Sequence, residues 1–322
     1  MQRPSTLAFV RKAPTGQAES DPRVPGGTRS PAAKSPAERP RSRASSTATP
    51  EAPAAEPRAR RPRKTGEPST RSRVPPPRPH ATLSAEDLLQ RAIAAVSARA
   101  RRMWARRGLS LRSLDRTTQA LLLRQLYLSF FEDRRFDKAA QIAEQLVTLD
   151  VLPDVAHQDA ARAHQALGDV EGAAQHLRMA ARVGPPNRRA FHFWTLGSLY
   201  FLAGRHVEAI AALQRAARWG TTDKPLYQAH LALARCGQGD VVEDLDGTIA
   251  RLADAPSAQG YGRFLLGHLC YYAKRPVEAR RHLLAFIKRT TQGRTAMAIA
   301  LDAEVTRARE TLAEIERREA AQ

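Results

Sequence analysis

The sequence predicts an all-α fold: an α-solenoid of about five helix pairs with capping helices at both ends and a disordered N-terminal arm. Three observations carry that expectation. Proline collapses from 16 of the chain's 22 residues within positions 1–80 to a handful beyond, where Leu, Ala, Gln, Glu and Arg take over. A nineteen-residue sentence, Phe191–Ala209, returns seventy residues later as Tyr261–Ala279: Leu196, Gly197, Ala203, Arg205, Val207, Glu208 and Ala209 recur as Leu266, Gly267, Ala273, Arg275, Val277, Glu278 and Ala279. The same grammar of helix, break and helix starts near 120, 154, 190, 225 and 260, spacings of 34, 36, 35 and 35 residues.

Residues 1–80 come first. Pro, Ser, Ala, Thr and Arg dominate, and Leu7–Val10 is the one apolar run of any length. Such a segment buries too little apolar surface to offset its ordering entropy, so it reads as a disordered basic arm. It carries a net charge of +11 of the chain's +20, residues 81–118 carry +5, and all the rest carries +4. The excess therefore sits in the arm and the first helix. It fits an anionic partner, or an arginine-rich coding bias with no function.

Residues 82–118 form a second region, a basic N-terminal helix and linker. Ser84 with Asp87 three residues on is a capping box, and Gly108 is placed as the C-cap. Leu89, Ile93, Val96, Ala100 and Met103 make one stripe. Arg91 and the group Arg99, Arg101, Arg102, Arg106 and Arg107 crowd the remainder. That group is either a solvated face of a cap or a candidate anion-binding surface for nucleic acid, anionic lipid or an acidic partner.

The third region, 119–318, is the repeat array. In the unit beginning at Ala190, Phe193, Leu196, Gly197 and Tyr200 share one face of the first helix, Gly204 breaks it, and Val207, Ile210, Leu213 and Ala217 share a face of the second. Helices this short cannot bury a face alone, so neighbours must stack on them. Gly197 and Ala209 are small because the two helices of one unit meet there, where a larger side chain would overpack. Earlier, Leu123, Leu126, Tyr127 and Phe130 precede Ala139 and Ala143, and Ala160, Ala161 and Gly168 precede Ala173, Leu177 and Ala180. Later, Leu231, Ala232 and Gly239 precede Leu245, Ile249 and Leu252. After the fifth unit, Thr295–Arg318 carries Ile299, Val305, Leu312 and Ile315 among charges and reads as a helix closing the last apolar face.

These units resemble the tetratricopeptide repeat, with its 34-residue period and its pattern of aromatic, Leu-Gly, Tyr, then Ala, a large apolar residue and Ala. Phe193, Leu196, Gly197, Tyr200, Ala209, Leu213 and Ala216 fall at the pattern's positions, with Thr221 where the closing proline stands. The unit from Gly260 departs at Arg263, Cys270 and Phe286, and in the unit from Pro225 the second helix is shifted by one residue. The resemblance covers residues 120–293 and extends to bacterial scaffold and chaperone proteins of this class. It implies first (A) helices on an inner, concave wall and a job in protein–protein interaction. Some such domains clamp a peptide carboxylate with Lys and Asn; the matching positions here hold Arg124 and Leu128, so that ligand class is not carried over.

On the A helices a second face lies about 120° from the packing face. It holds Phe191, Trp194, Ser198 and Phe201 in one unit, and Tyr261, Phe264, His268 and Tyr271 in another. Gln158, Arg162 and Gln165, then Leu226, Ala229 and Leu233, occupy it between. These rows are the candidate partner-binding groove for a protein or peptide; packing between successive A helices is the competing use.

No catalytic signature occurs: no Gly-rich phosphate loop, GxSxG or HExxH. The expectation is a non-enzyme with no cofactor and no metal. His157 and His164 stand seven apart on one helix, and His192, His206, His230, His268 and His282 are scattered through the units. Cys236 and Cys270 read as buried free thiols. No signal-peptide pattern and no long apolar run occurs, which predicts a cytoplasmic protein without a transmembrane segment. The alternative function is association with nucleic acid or an anionic surface through the arm and first helix.

Overall fold

A computed structural model of the chain describes residues 83–321. The arm expected over residues 1–80 lies outside the described residues. Fourteen α-helices and one short 3-10 turn, Pro256–Ala258, make up the described part, which contains no strand.

Two helices precede the array, α1 (Ala85–Ala94) and α2 (Ala98–Leu109). Five pairs follow: α3 (Arg116–Glu132) with α4 (Phe136–Leu149), α5 (Pro153–Ala166) with α6 (Val170–Val183), and α7 (Pro186–Leu202) with α8 (His206–Trp219). Then come α9 (Lys224–Gln238) with α10 (Leu245–Ala253), and α11 (Tyr261–Tyr272) with α12 (Pro276–Thr291). Each helix packs on its partner, and the second helix of each of the first four pairs packs on the first helix of the next. The chain ends in α13 (Thr295–Ala300) and α14 (Asp302–Ala320).

The turns between partners explain the recurring break. In four pairs the connection is three residues long, and its middle residue is left-handed: Arg134, Gly168, Gly204 and Lys274, at φ 56°, 80°, 72° and 58°. The next N–H then reaches back to a carbonyl of the first helix, Arg205 to Tyr200 and Arg275 to Cys270, both at 2.9 Å. The fourth pair departs. Its connection runs over residues 239–244 and α10 is only nine residues long, which is why the unit from Pro225 fits the pattern least.

Gly197 and Gly267 do the same work in their copies. A Cβ at either would run into Leu213 or Leu283 of the partner helix. Ala209 and Ala279, at the other side of the same contact, are fully buried. The repeated arginine ties units together. Arg205 pairs with Glu208 (2.6 Å) and with Glu171 on the preceding unit's second helix. Arg275 pairs likewise with Asp246 at 2.8 Å. Both arginines are about a third exposed, so these links help set register more than stability.

Four sequence expectations shift. The helix read over Ser84–Gly108 is two helices, because Ala95 turns extended after a well-formed Ser84–Asp87 capping box. The stripe is broken with it: Leu89 is buried, but Ile93, Val96 and Met103 are exposed, and Arg101 and Ala105 take the buried positions in α2. In α8 the buried face is Ala209, Ala212, Leu213 and Ala216, and Val207 is exposed, a rotation of one residue or so toward the smaller side chains. Gly108 is a packing position facing Leu122, and Ser110 is the C-cap. Cys270 is buried and its thiol is pushed up to about 11, whereas Cys236 is half-buried.

Candidate functional site: the A-helix face and its cover

The C-terminal segment is where packing departs from a simple stack. α13 lies against α3 of the first pair as well as α12 of the last. α14 packs on α12 and α11 and reaches α7. Arg134, in the first pair's turn, stands 3.7 Å from Asp302 at the start of α14, and Arg280 of α12 pairs with Glu319 near its end. The expected closing helix is therefore two pieces, and the longer one runs over A helices of the third and fifth pairs.

Amphipathic spacing explains the docking. Glu304, Val305, Ala308, Leu312 and Ile315 are the buried residues of α14, at helical intervals, with Arg and Glu on the other faces. One continuous apolar core runs from Ala161 in α5 through the later pairs to Ile315.

The predicted groove residues sit under or beside that cover. Trp194 and Phe201 are buried, with Trp194 edge-on to Tyr261 at 4.9 Å and Phe201 edge-on to His230 at 5.4 Å. Ser198 is buried and shares a 2.8 Å hydrogen bond with the Tyr261 hydroxyl. Tyr261 and Phe264 are buried against Phe286. His268 is buried beside Phe264, ring centroids 4.4 Å apart. Phe191 and Tyr271 are half-buried, Phe191 near Trp194 and Tyr271 under the Arg318 guanidinium of α14 at 5.1 Å. An open row of aromatics is therefore not what the fold presents: α9 and α14 cover most of it. The intervening Leu226, Ala229 and Leu233 are buried too. Open space remains in one cleft of about 190 Å³, where Phe201, His268 and Tyr271 face Arg307, Glu310 and Glu314 of α14.

Burial dictates the electrostatics under the cover. Glu304 is enclosed beside the Tyr261 hydroxyl, and burial raises its carboxyl to about 7. His230 and His268 have no hydrogen-bond partner on either ring nitrogen, and burial pushes both down to about 3, so they are neutral at pH 7.

Polar pairs link the A helices of the first three units. Arg124 donates from Nε to Asp159 Oδ2 at 2.8 Å, and Asp159 is buried. His192 lies between Gln158 Oε1 at 3.0 Å and Asp154 Oδ2 at 3.2 Å, and Arg188 reaches Asp154 at 2.7 Å. Away from this face, Glu144, His164 and His176 each bring a ligand-type atom within 4.8 Å of the others. Sequence spacing missed that cluster because its members come from three helices.

The candidate anion-binding arginines separate into two sets. Arg101 is buried against Glu132, and Arg102 pairs with Asp133 at 2.7 Å while lying over the Phe130 ring. Arg99, Arg106 and Arg107 are exposed, Arg106 within 5.9 Å of the same ring. Two of the five are thus held by intramolecular acids. Among the described residues no helix is long and apolar enough to cross a membrane.

The helix pairs, their 34–36-residue spacing and the Gly–Leu contacts within the third and fifth pairs define a tetratricopeptide-type α-solenoid. No protein-family model matches the chain, and no curated protein matches it. Solved structures similar to it include tetratricopeptide-repeat proteins. The chain is similar to YrrB, described as a TPR protein with an unusual peptide-binding site, at 16% identity and TM-score 0.34, over 57% of this chain and 91% of that one. It is similar to a chain of the APC/C hetero-tetramer Cut9–Hcn1 at 15% identity and TM-score 0.41, over 72% of this chain and 54% of that one. It is also similar to the TPR domain of P58(IPK) at 13% identity and TM-score 0.26, over 74% and 80%.

Proposed function

We propose that the protein is a non-catalytic interaction scaffold that receives an amphipathic helix of a partner protein on the A-helix face of its later units. One observation carries this reading: that face already holds an amphipathic helix, its own α14, through Val305, Ala308, Leu312 and Ile315. A surface that accepts one helix by spaced apolar side chains accepts another of the same pattern, the recognition mode of helix-in-groove binding. Trp194, Phe201, Tyr261, Phe264 and Tyr271 then serve as the floor of the site rather than as an open stripe. The cleft beside Phe201, His268 and Tyr271 leaves open space between the cover and this floor. In this reading α14 competes with the partner, and affinity falls by the fraction of time that the face is covered.

The test uses the full chain with Leu312→Asp and Ile315→Asp, which remove half of the apolar grip of α14, and a labelled peptide of the native sequence 301–321. The expected result is saturable peptide binding to the variant and at least ~10-fold weaker binding to the unaltered chain, where the tethered helix competes. Circular dichroism should show that the variant loses no more than about one helix. A folded variant that takes up no peptide would sink the reading, as would equal binding to both chains.

A further inference from the structure

We propose that Glu144, His164 and His176 form a site for one divalent cation of the zinc class, joining the first helix pair to the second. Glu144 lies on α4, His164 on α5 and His176 on α6. Glu144 Oε1 is 3.0 Å from His176 Nε2 and 3.4 Å from His164 Nε2. Zinc bound to nitrogen and carboxylate oxygen at ~2.0–2.1 Å in tetrahedral geometry separates neighbouring ligand atoms by about 3.3 Å. The two spacings straddle that edge. The imidazole rings of His164 and His176 stack with centroids 5.2 Å apart, which turns both Nε2 atoms toward the same carboxylate.

The opposite ring nitrogens are held as metal-binding histidines require. His164 Nδ1 is 2.7 Å from Asp169 Oδ2, and the other oxygen of Asp169 accepts from Gly172 N–H at 2.9 Å as the N-cap of α6. The acceptor is therefore fixed before any ion arrives. His176 Nδ1 is 3.0 Å from His157 Nδ1. Such outer partners choose the tautomer and leave Nε2 with its lone pair free for a metal.

His164 faces a carboxylate oxygen at each ring nitrogen, Asp169 at 2.7 Å and Glu144 at 3.4 Å. With Nδ1 held by Asp169, Nε2 is the atom turned toward the Glu144 oxygen, where a cation would lie between the two. Two imidazoles and one carboxylate are a borderline-soft donor set, suited to zinc and not to Mg²⁺ or Ca²⁺. The Glu144 side chain is half-exposed, which leaves an approach from solvent and a fourth position for water.

The experiment uses full-length protein freed of metal with a chelator, then titrated with ZnCl₂ by calorimetry and with CoCl₂ by visible absorption. The expected result is one ion per chain, a raised melting temperature in zinc, and the intense visible bands of four-coordinate Co²⁺. Glu144→Gln changes a half-exposed side chain and should weaken binding at least ~10-fold without unfolding the protein. His164→Ala with His176→Ala should abolish it. Asp169→Asn keeps the helix cap but loses the carboxylate, and should cost ~10–100-fold in affinity. His282→Ala, outside the cluster, should leave it unchanged. No saturable uptake would overturn the proposal. So would uptake that survives the double variant or the Glu144→Gln change.

Discussion

The first two repeat units and the last three bury their A-helix faces by different means. At the early end polar pairs link successive A helices, α3 to α5 through Arg124 and Asp159, and α5 to α7 through Asp154 with Arg188 and through His192 between Gln158 and Asp154. In the later units the A-helix face is aromatic and satisfied from outside: Trp194, Phe201, Tyr261 and Phe264 lie in the core that α14 completes. A polar inner wall needs matched partners, since a buried charge left alone costs several kcal/mol. An apolar inner wall needs only area, so it can take any cover of the right pattern. In the proposed function the later half is where a second helix competes, while at the early end specific pairs join successive A helices.

The contrast is broken most severely at Phe264, which is fully buried between Tyr261, His268 and Phe286. Phe264→Ala should cost about 3–5 kcal/mol, read as a drop in denaturant midpoint with little change in slope. A loss under 1 kcal/mol would mean that the later units do not share a continuous core.

The seat of the cover is tested next, through Glu304. Below pH 4.5 its carboxyl is neutral in both folded and unfolded chains and costs nothing. As pH rises from 4.5 toward 7, the unfolded chain releases its proton first and the folded state, held at about 7, does not. Stability is therefore lost across that window, by about 3 kcal/mol once it is passed. Glu304→Gln keeps the shape without the charge. The variant should match the native chain near pH 4 and exceed it by about 3 kcal/mol near pH 8. A difference that stays flat with pH would show that α14 leaves Glu304 open to water.

The smallest of these effects belongs to the polar half. Arg124→Met leaves Asp159 buried, but Arg162 remains 3.8 Å away, so the cost should be about 2 kcal/mol. Adding Asp159→Leu should recover most of it, since removing both members of a buried pair is nearly neutral. No recovery in the double variant would make the pair a packing element, as in the later half.

Much of the array was legible in the amino-acid sequence, and the reasons are local. Pro153, Pro186 and Pro276 start helices, Gly168 and Gly204 end them at left-handed turns, and Leu–Gly pairs mark the close approach of partners. Arg134 and Lys274 occupy the same left-handed position without being glycine, so those turns show only by their spacing. The break at Ala95 was not legible, because Ile93 and Val96 continue a helical stripe that the fold leaves exposed. The candidate site was half legible. Its residues were named from their face on the A helices, but their burial depends on a helix about forty residues beyond the last of them.

What the sequence determined by itself is the unit: its period, its caps, its turns and the small residues where two helices meet. Those follow from contacts within about 35 residues, whose periodicity is written along the chain. Tertiary structure alone decided which faces stay open. α14 is amphipathic, and amphipathicity says that a helix must dock without saying where. Only folding brings Glu304 to Tyr261, Arg318 to Tyr271 and Asp302 to Arg134. The same holds for Glu144, His164 and His176. Three helices deliver one side chain each, and no spacing in the sequence encodes the few ångströms between them.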